Sequence, residues 1–76
     1  MTGKQNVVGP TIRKLRYQRE LTQELFSARC ARFGWDMSRQ ALSKIEAQVR
    51  CVTDRELIVI ARALRVPIGD LFPRQK

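Results

Sequence analysis

Signals that begin an α-helix recur four times in this chain of 76 residues. Pro10 suits the first turn of a helix, where no backbone donor is needed, and Thr22 and Ser38 are residue types that cap a helix start. Thr53 stands three positions before Glu56, which is the spacing of a capping box. Apolar residues follow each start at helical spacing, and no segment alternates for long with a period of two. The sequence therefore predicts an all-α fold, a compact bundle of four to five helices.

The four starts indicate one helical domain with two short ends. Residues 1–8 carry no periodicity and are predicted to form a flexible arm that could dock through Val7 and Val8 at its end. Residues 9–72 form the helical domain, and residues 73–76 form a polar tail. Gly34 is expected to end the second helix. Pro67 breaks the fourth helix and is followed by a final turn. We expect no leader peptide before this domain and no further domain after it.

The amino-acid composition indicates what kind of partner the chain binds. The chain has 15 basic and 7 acidic residues and a formal net charge of +8, which indicates an anionic partner, nucleic acid first and an anionic membrane surface second. No apolar run is long enough to cross a bilayer, so no membrane insertion is expected. The lack of histidine, of paired buried carboxylates and of a glycine-rich phosphate loop argues against an enzyme, a zinc site or a bound cofactor. Cys30 and Cys51 are expected to be reduced and half-buried in a cytoplasmic protein.

The third helical segment sorts its side chains onto two faces. Met37, Leu42, Ile45 and Val49 recur at helical spacing and are predicted to point inward. The residues predicted to point outward near its start are Arg39, Gln40, Ser43 and Lys44. Such side chains read base edges in the DNA major groove, where Arg and Lys donate to guanine and Gln bonds adenine. On this segment alone an ordinary solvated helix face is the simpler interpretation, and the rest of the chain favours base reading.

Four fragments of the chain, in their order and spacing, resemble the Cro/cI-type (XRE-like) helix-turn-helix repressors. The fragments are Gly9-x-x-Ile12-Arg13-x-Leu15-Arg16, Leu21-Thr22-Gln23-Glu24, Met37-Ser38-Arg39-x-x-Leu42-Ser43-x-Ile45-Glu46 and Leu57-x-x-Ile60-Ala61-x-Ala63-Leu64-x-Val66 with Leu71-Phe72. The resemblance covers residues 9–72 and implies a lambda-repressor-like bundle. It implies that helix 22–33 lies across the DNA backbone and that helix 38–46 enters the major groove as the recognition helix.

The resemblance also implies roles for single residues. Gln23 matches a glutamine that bonds a DNA phosphate near a helix start, where anions are favoured. Base-reading positions are matched by Arg39, Gln40 and Lys44, with Ser43 beside them. We expect further phosphate contacts from Arg50, Arg13 and Lys14. Arg16 and Glu46 match a structural salt bridge between the first helix and the end of the third.

Two features depart from the family pattern. The interval from Thr22 to Ser38 holds about five more residues than a usual helix-turn-helix, within residues 27–36. They either lengthen the second helix by a turn or enlarge the loop that ends in Trp35, which we expect to fill the core at this join. Glu20 stands where the family often has glycine, which predicts either a strained left-handed cap or a turn of another shape.

Together these features predict a sequence-specific double-stranded DNA-binding regulator of transcription, a repressor that reads the major groove with helix 38–46. One domain reads a half-site, so a homodimer on a palindrome is expected. The residues that would form its shared surface, or else only pack the fourth helix against the final turn, are Ile58, Val59, Ala63, Leu71 and Phe72. The alternative is an antitoxin-like interaction module that binds a toxin-like partner protein and represses its own promoter.

Overall fold

The structure is a computed structural model that describes residues 4–73. Its helices are α1 (Gly9–Gln18), α2 (Gln23–Arg32), α3 (Arg39–Glu46), α4 (Asp54–Leu64) and a short 3-10 helix, η1 (Ile68–Leu71). Within residues 4–73 there is no β-strand, and the predicted all-α class is confirmed. None of the helices described is both long and apolar enough to cross a membrane. Residues 1–3 of the predicted arm and 74–76 of the predicted tail lie outside the described residues.

Local hydrogen bonds explain where the helices begin. Thr22 and Ser38 each accept, through the side-chain oxygen, a hydrogen bond of 3.0 Å from the backbone N–H three residues later. Thr53 and Glu56 form the predicted capping box, in which each side chain accepts from the backbone N–H of the other. α1 has no side-chain cap and begins with Pro10 in its first turn. The helix starts predicted from the sequence are therefore confirmed.

Left-handed backbone conformations shape the turns between the helices. Gly34 follows α2 with a φ of 94°, as expected for a glycine beyond a C-cap. Three residues with side chains also adopt positive φ, namely Glu20 (55°), Gln48 (66°) and Arg65 (60°). Each costs about 1–2 kcal/mol relative to a right-handed residue. Glu20 thus takes the strained left-handed shape, the first of the two alternatives that the sequence left open.

The core is built from side chains of every helix. α1 and α2 each pack against both α3 and α4, and η1 packs against α4. The largest fully buried side chains are Ile12, Phe26, Cys30, Leu42, Ile45, Ile60, Leu64 and Leu71. Burial raises the pKa of the Cys30 thiol to about 12, so this thiol stays neutral and unreactive near pH 7. Cys51 is exposed, so the prediction that both cysteines are half-buried was wrong.

The exposure of three side chains bears on the predictions made for α3 and for the dimer surface. Val49 was expected to point inward but is 63% exposed, because α3 ends at Glu46 and the helical spacing does not continue to it. Ala63 and Leu71 were candidates either for a dimer surface or for packing of the fourth helix against the final turn; they are buried, so the second alternative holds for them. α4 packs against α1, α2 and η1 at once, so a wide sector of α4 is covered and Leu71 is enclosed beneath it.

Residues 5 and 6 are anchored by hydrogen bonds, which corrects the prediction of a flexible arm for this part of the chain. The Asn6 side-chain amide donates to the carbonyls of Ile45 at 3.0 Å and Arg50 at 2.8 Å, which lie 39 and 44 positions further along. Of the two valines expected to dock, Val8 is buried in the core and Val7 is 57% exposed. Hydrogen bonds over such a distance in sequence leave no local pattern, so composition alone did not indicate them.

Candidate nucleic-acid interface

The outward face of α3 carries the four side chains that were predicted to read bases. They are Arg39, Gln40, Ser43 and Lys44, and all are exposed. Leu42 and Ile45, on the other face of the helix, are fully buried and fix α3 against α1 and α2. The first turn contains no acidic residue, so the positive end of the helix dipole stands beside a basic side chain and favours an anion.

An open groove runs between α1, the start of α2 and α3. α3 contributes Arg39 and Ser43 to its lining, α1 contributes Arg13 and Tyr17, and α2 contributes Gln23. The fold therefore brings two base-reading candidates next to two of the residues predicted to bind phosphate. Its lining also includes Glu20, Glu24 and Glu46 beside Arg13, Arg16 and Arg39, so the groove is not basic overall. The donors that it offers to an anion are the guanidiniums of Arg13 and Arg39 and the positive end of the α2 dipole.

Four other predicted site residues lie outside this groove. Gln40 and Lys44 are exposed on α3 but do not line it. Lys14 lines a second groove with Phe72, between α1 and the residues around η1. Arg50 lies in the loop after α3. Although Lys14 follows Arg13 directly, successive side chains of a helix point about 100° apart, which explains why the two face different grooves.

Tyr17 is a groove residue that the sequence analysis missed. It is 57% exposed, and its hydroxyl accepts a hydrogen bond of 3.3 Å from Nη2 of Arg13. This hydrogen bond lowers the pKa of the Tyr17 hydroxyl, and the guanidinium of Arg16 lies 4.7 Å from the centre of the ring. Because the hydroxyl oxygen accepts from Arg13, its own O–H is available to an acceptor in the groove. The spacing of four between Arg13 and Tyr17 was the signal that could have found it.

Arg16 and Glu46 form a buried ion pair that ties α1 to the end of α3. Nε of Arg16 lies 2.7 Å from one Glu46 carboxylate oxygen and Nη2 lies 3.0 Å from the other. The two side chains are only 6% and 5% exposed, and Nη1 of Arg16 also donates to the carbonyl of Leu21 at 2.8 Å. The hydrogen bonds to Glu46 raise the pKa of Arg16. The salt bridge implied by the family resemblance is present, and because it is buried, it holds α1 and the end of α3 together.

Gln23 is held in place by the same pair. Its side-chain amide donates to Oε1 of Glu46 at 3.2 Å. A primary amide has two N–H donors, so a second one remains for another acceptor. Since Gln23 lines the groove at the start of α2, the network of Arg16 and Glu46 orients a hydrogen-bond donor there before any ligand arrives.

Arg50 is engaged within the chain. Its guanidinium donates to both carboxylate oxygens of Glu56 at 3.1 Å and to the carbonyl of Cys51 at 2.9 Å. It also lies 5.8 Å from the centre of the Trp35 ring. The hydrogen bonds from Arg50 lower the pKa of Glu56. Arg50 therefore fastens the loop after α3 to the start of α4 and to the residues that precede α3.

The sequence and the fold of this chain are similar to those of known helix-turn-helix proteins. A family model described as helix-turn-helix matches residues 12–71. The chain belongs to the Cro/cI-type helix-turn-helix family. No curated protein matches this chain.

Two solved helix-turn-helix structures are similar over most of their length. One is the restriction-modification controller protein C.AhdI from Aeromonas hydrophila, with a TM-score of 0.76 and 25% identity over 86% of this chain and 91% of that one. The other is the DNA-binding domain of BldD, with a TM-score of 0.76 and 22% identity over 96% of this chain and 99% of that one. The second shows the shared fold. The family match and the first neighbour support a DNA-binding regulator of transcription.

The helix-turn-helix of this chain has a long connection between its two helices. Six residues, 33–38, separate α2 from α3, whereas a turn of about 3–4 residues is usual. The enlarged connection accounts for two to three of the about five extra residues, so neither of the two alternatives holds all of them. Trp35 lies within it and packs against the core, as expected. The connection leaves the outward side chains of α3 exposed, so the face that would meet DNA stays open.

Proposed function

We propose that this protein is a sequence-specific repressor that binds double-stranded DNA as a homodimer in the cytoplasm. α3 enters the major groove, and its outward side chains contact base edges. The observation that supports this proposal best is the exposure of all four polar side chains on a short capped helix whose opposite face is fully buried. Arg39 and Lys44 would donate to guanine, Gln40 would bond adenine, and Ser43 could serve either base.

Phosphate contacts come from the groove beside α3. Gln23, Arg13 and Tyr17 line it and offer an amide N–H, a guanidinium and a hydroxyl. Contacts of this kind set the register of the protein on the duplex but do not select sequence. Lys14 and Arg50 are the weaker of the earlier candidates. Lys14 faces a different groove, and Arg50 would first have to leave its ion-pair partner.

A homodimer follows from the half-site that one domain can cover. Ile68 and Phe72, at the two ends of η1, are 42% and 43% exposed and support a shared apolar surface there. Val59 is half-buried on α4 and could extend that surface. Ile58, also among the residues predicted for the dimer, is exposed between arginines and is treated separately below.

Selection from random DNA at several salt concentrations tests the proposal. We expect an enriched palindromic sequence, because two copies related by a two-fold axis read two equal half-sites. Affinity should fall steeply with added salt as counterions are released from the duplex. If no sequence is enriched at any salt concentration, specific DNA binding is wrong. An enriched sequence without two-fold symmetry would contradict the homodimer alone.

Replacing Arg39 with alanine is expected to remove sequence discrimination. A bidentate contact to guanine contributes about 1–3 kcal/mol of preference over a wrong base, so the ratio of affinities for the selected site and a mismatched site should fall accordingly. Fluorescence anisotropy with both duplexes measures this ratio. Lys14→Ala removes the same charge outside the groove and should leave the ratio unchanged. A full ratio in Arg39→Ala would show that Arg39 does not read bases.

Replacing Tyr17 with phenylalanine removes only the hydroxyl. We expect DNA affinity to fall about three- to tenfold, the effect of one hydrogen bond. The dependence of log affinity on log salt should not change, because no charge is lost. Arg13→Gln is the matched comparison, since losing one phosphate-neutralising charge should reduce that slope by about 0.9. Equal affinities for Tyr17→Phe and the natural chain would remove Tyr17 from the interface.

A further inference from the structure

One exposed face of α4 has no role in the DNA-binding proposal. Arg55, Ile58, Arg62 and Arg65 follow one another at intervals of three, four and three residues, so they lie on one side of the helix and its C-cap. All four are exposed, and Ile58 is 46% exposed. From first to last they extend over about 15 Å at 1.5 Å per residue. We name this set the arginine stripe.

The three guanidiniums of the arginine stripe have no partner among residues 4–73. The ion pairs within that range are Arg16 with Glu46 and Arg50 with Glu56. The acidic residues nearest to the stripe in sequence serve the start of α4. Asp54 accepts a hydrogen bond from the backbone N–H of the residue after it, and Glu56 is the acidic member of the capping box. Three positive charges therefore lie along this side of α4, and none of them is in an ion pair among residues 4–73. The exposed carboxylate of Asp54, four positions before Ile58, shares the same side and offsets one of them.

We propose that the arginine stripe binds an acidic segment of a partner protein in which carboxylates flank an apolar side chain. Guanidinium groups pair with carboxylates through two parallel hydrogen bonds, and this geometry favours arginine over lysine at protein interfaces. Ile58 lies between Arg55 and Arg62 and offers an apolar contact at the centre of the charged surface. A sugar-phosphate backbone would make no use of that side chain.

Two other occupants fit the observations less well. None of the four residues of the arginine stripe lines the groove between α1, α2 and α3, so DNA seated on the recognition helix is not directed to them. A second copy placed face to face on this side of α4 would bring six guanidiniums together. Like charges juxtaposed at an interface repel one another and strongly disfavour such a pairing. The homodimer proposed above therefore uses the surface around η1 instead.

Backbone amide shifts can locate an acidic peptide on the protein. The probe is a synthetic helical peptide of about 16 residues, long enough to hold a helix, with three glutamates around one leucine. We expect saturable shifts concentrated at residues 55–65, with the amides of α3 unchanged. A peptide with serine in place of that leucine should bind more weakly. The proposal is overturned by shifts centred on α3, by equal binding of the serine peptide or by no saturable binding.

Two triple variants with equal loss of charge separate the arginine stripe from the DNA face. Arg55→Gln, Arg62→Gln and Arg65→Gln together should weaken peptide binding about tenfold or more, as expected for three surface ion pairs, and leave DNA affinity almost unchanged. Arg13→Gln, Arg39→Gln and Lys44→Gln together should do the reverse. Equal weakening of peptide binding by both variants would show unspecific charge attraction. Loss of DNA affinity in the first variant would show that the arginine stripe binds DNA. A change in the sedimenting mass of that variant would show that the stripe is a contact between copies of the chain. Either result overturns the proposal.

Discussion

Arg16→Ala is expected to lower the free energy of unfolding by about 3–5 kcal/mol, the usual loss when one partner of a buried ion pair is removed. Glu46, 5% exposed, would keep a buried negative charge with only the Gln23 amide beside it. The carbonyl of Leu21 would lose its donor as well. At about 0.05–0.15 kcal/mol per residue, a domain of this size has a total stability of about 4–11 kcal/mol. The loss is therefore at least about a quarter of the total stability, and urea denaturation followed by circular dichroism should show it as a clearly lower midpoint.

Arg13→Ala is the matched control for that measurement. Arg13 lies on the same helix, is exposed, and has its side-chain hydrogen bond only with Tyr17 among the described residues. Its removal should change stability by no more than about 0.5 kcal/mol. Because the Arg16 pair is shielded from solvent, added salt should hardly change the difference between the two variants. A loss below about 1 kcal/mol for Arg16→Ala would mean that the pair behaves as an exposed one.

The parts of the fold that could be predicted from the sequence are those that depend on residues only a few positions apart in the chain. A cap such as Ser38 or Thr53 bonds to a backbone group three residues away, so its partner is visible in the sequence. The outward face of α3 follows from spacing in the same way. For Ala63 a dimer surface and internal packing both stayed open, because a single helical stripe describes contact with one neighbour, whereas α4 packs against three helices. Val49 was placed wrongly because spacing was extended beyond the end of α3.

In the candidate site, too, local spacing could be predicted from the sequence and tertiary packing could not. The side chains of α3 were predicted as base readers, and their role remains a proposal. The groove beside them arises from the packing of α1 against α3, which no local pattern reports, so Tyr17 was missed and Lys14 was placed with Arg13. Arg50 was also predicted as a phosphate ligand, whereas in the structure its guanidinium donates to Glu56, six positions away. Tertiary contacts decide which charges are left for a ligand.

A close approach of two backbones holds the end of α3 at the start of α1. A Cβ added at Gly9 would lie 2.3 Å from the carbonyl oxygen of Ile45 and 3.0 Å from that of Glu46. The N–H of Gly9 donates to the Asn6 side chain at 2.8 Å, and the amide of Asn6 donates in turn to the Ile45 carbonyl at 3.0 Å. Glycine is required here because a side chain would enter the space of backbone atoms that cannot rotate away.

Gly9→Ala is therefore expected to destabilise the protein by about 3 kcal/mol or more, the upper end of the cost of overpacking, since either α1 or the end of α3 must shift. Each kcal/mol lowers Tm by about 4–8 °C in a domain of this size, so thermal denaturation resolves the effect. Gly69→Ala is the control: its added Cβ meets no atom within 4 Å, and stability should stay within about 0.5 kcal/mol. Because the shift would move the recognition helix, Gly9→Ala should also weaken binding to the selected DNA below the temperature at which it unfolds. Unchanged Tm and unchanged DNA affinity in Gly9→Ala would show that the two backbones are not held together at this point. The position of α3 would then depend on the Arg16–Glu46 pair and on side-chain packing alone.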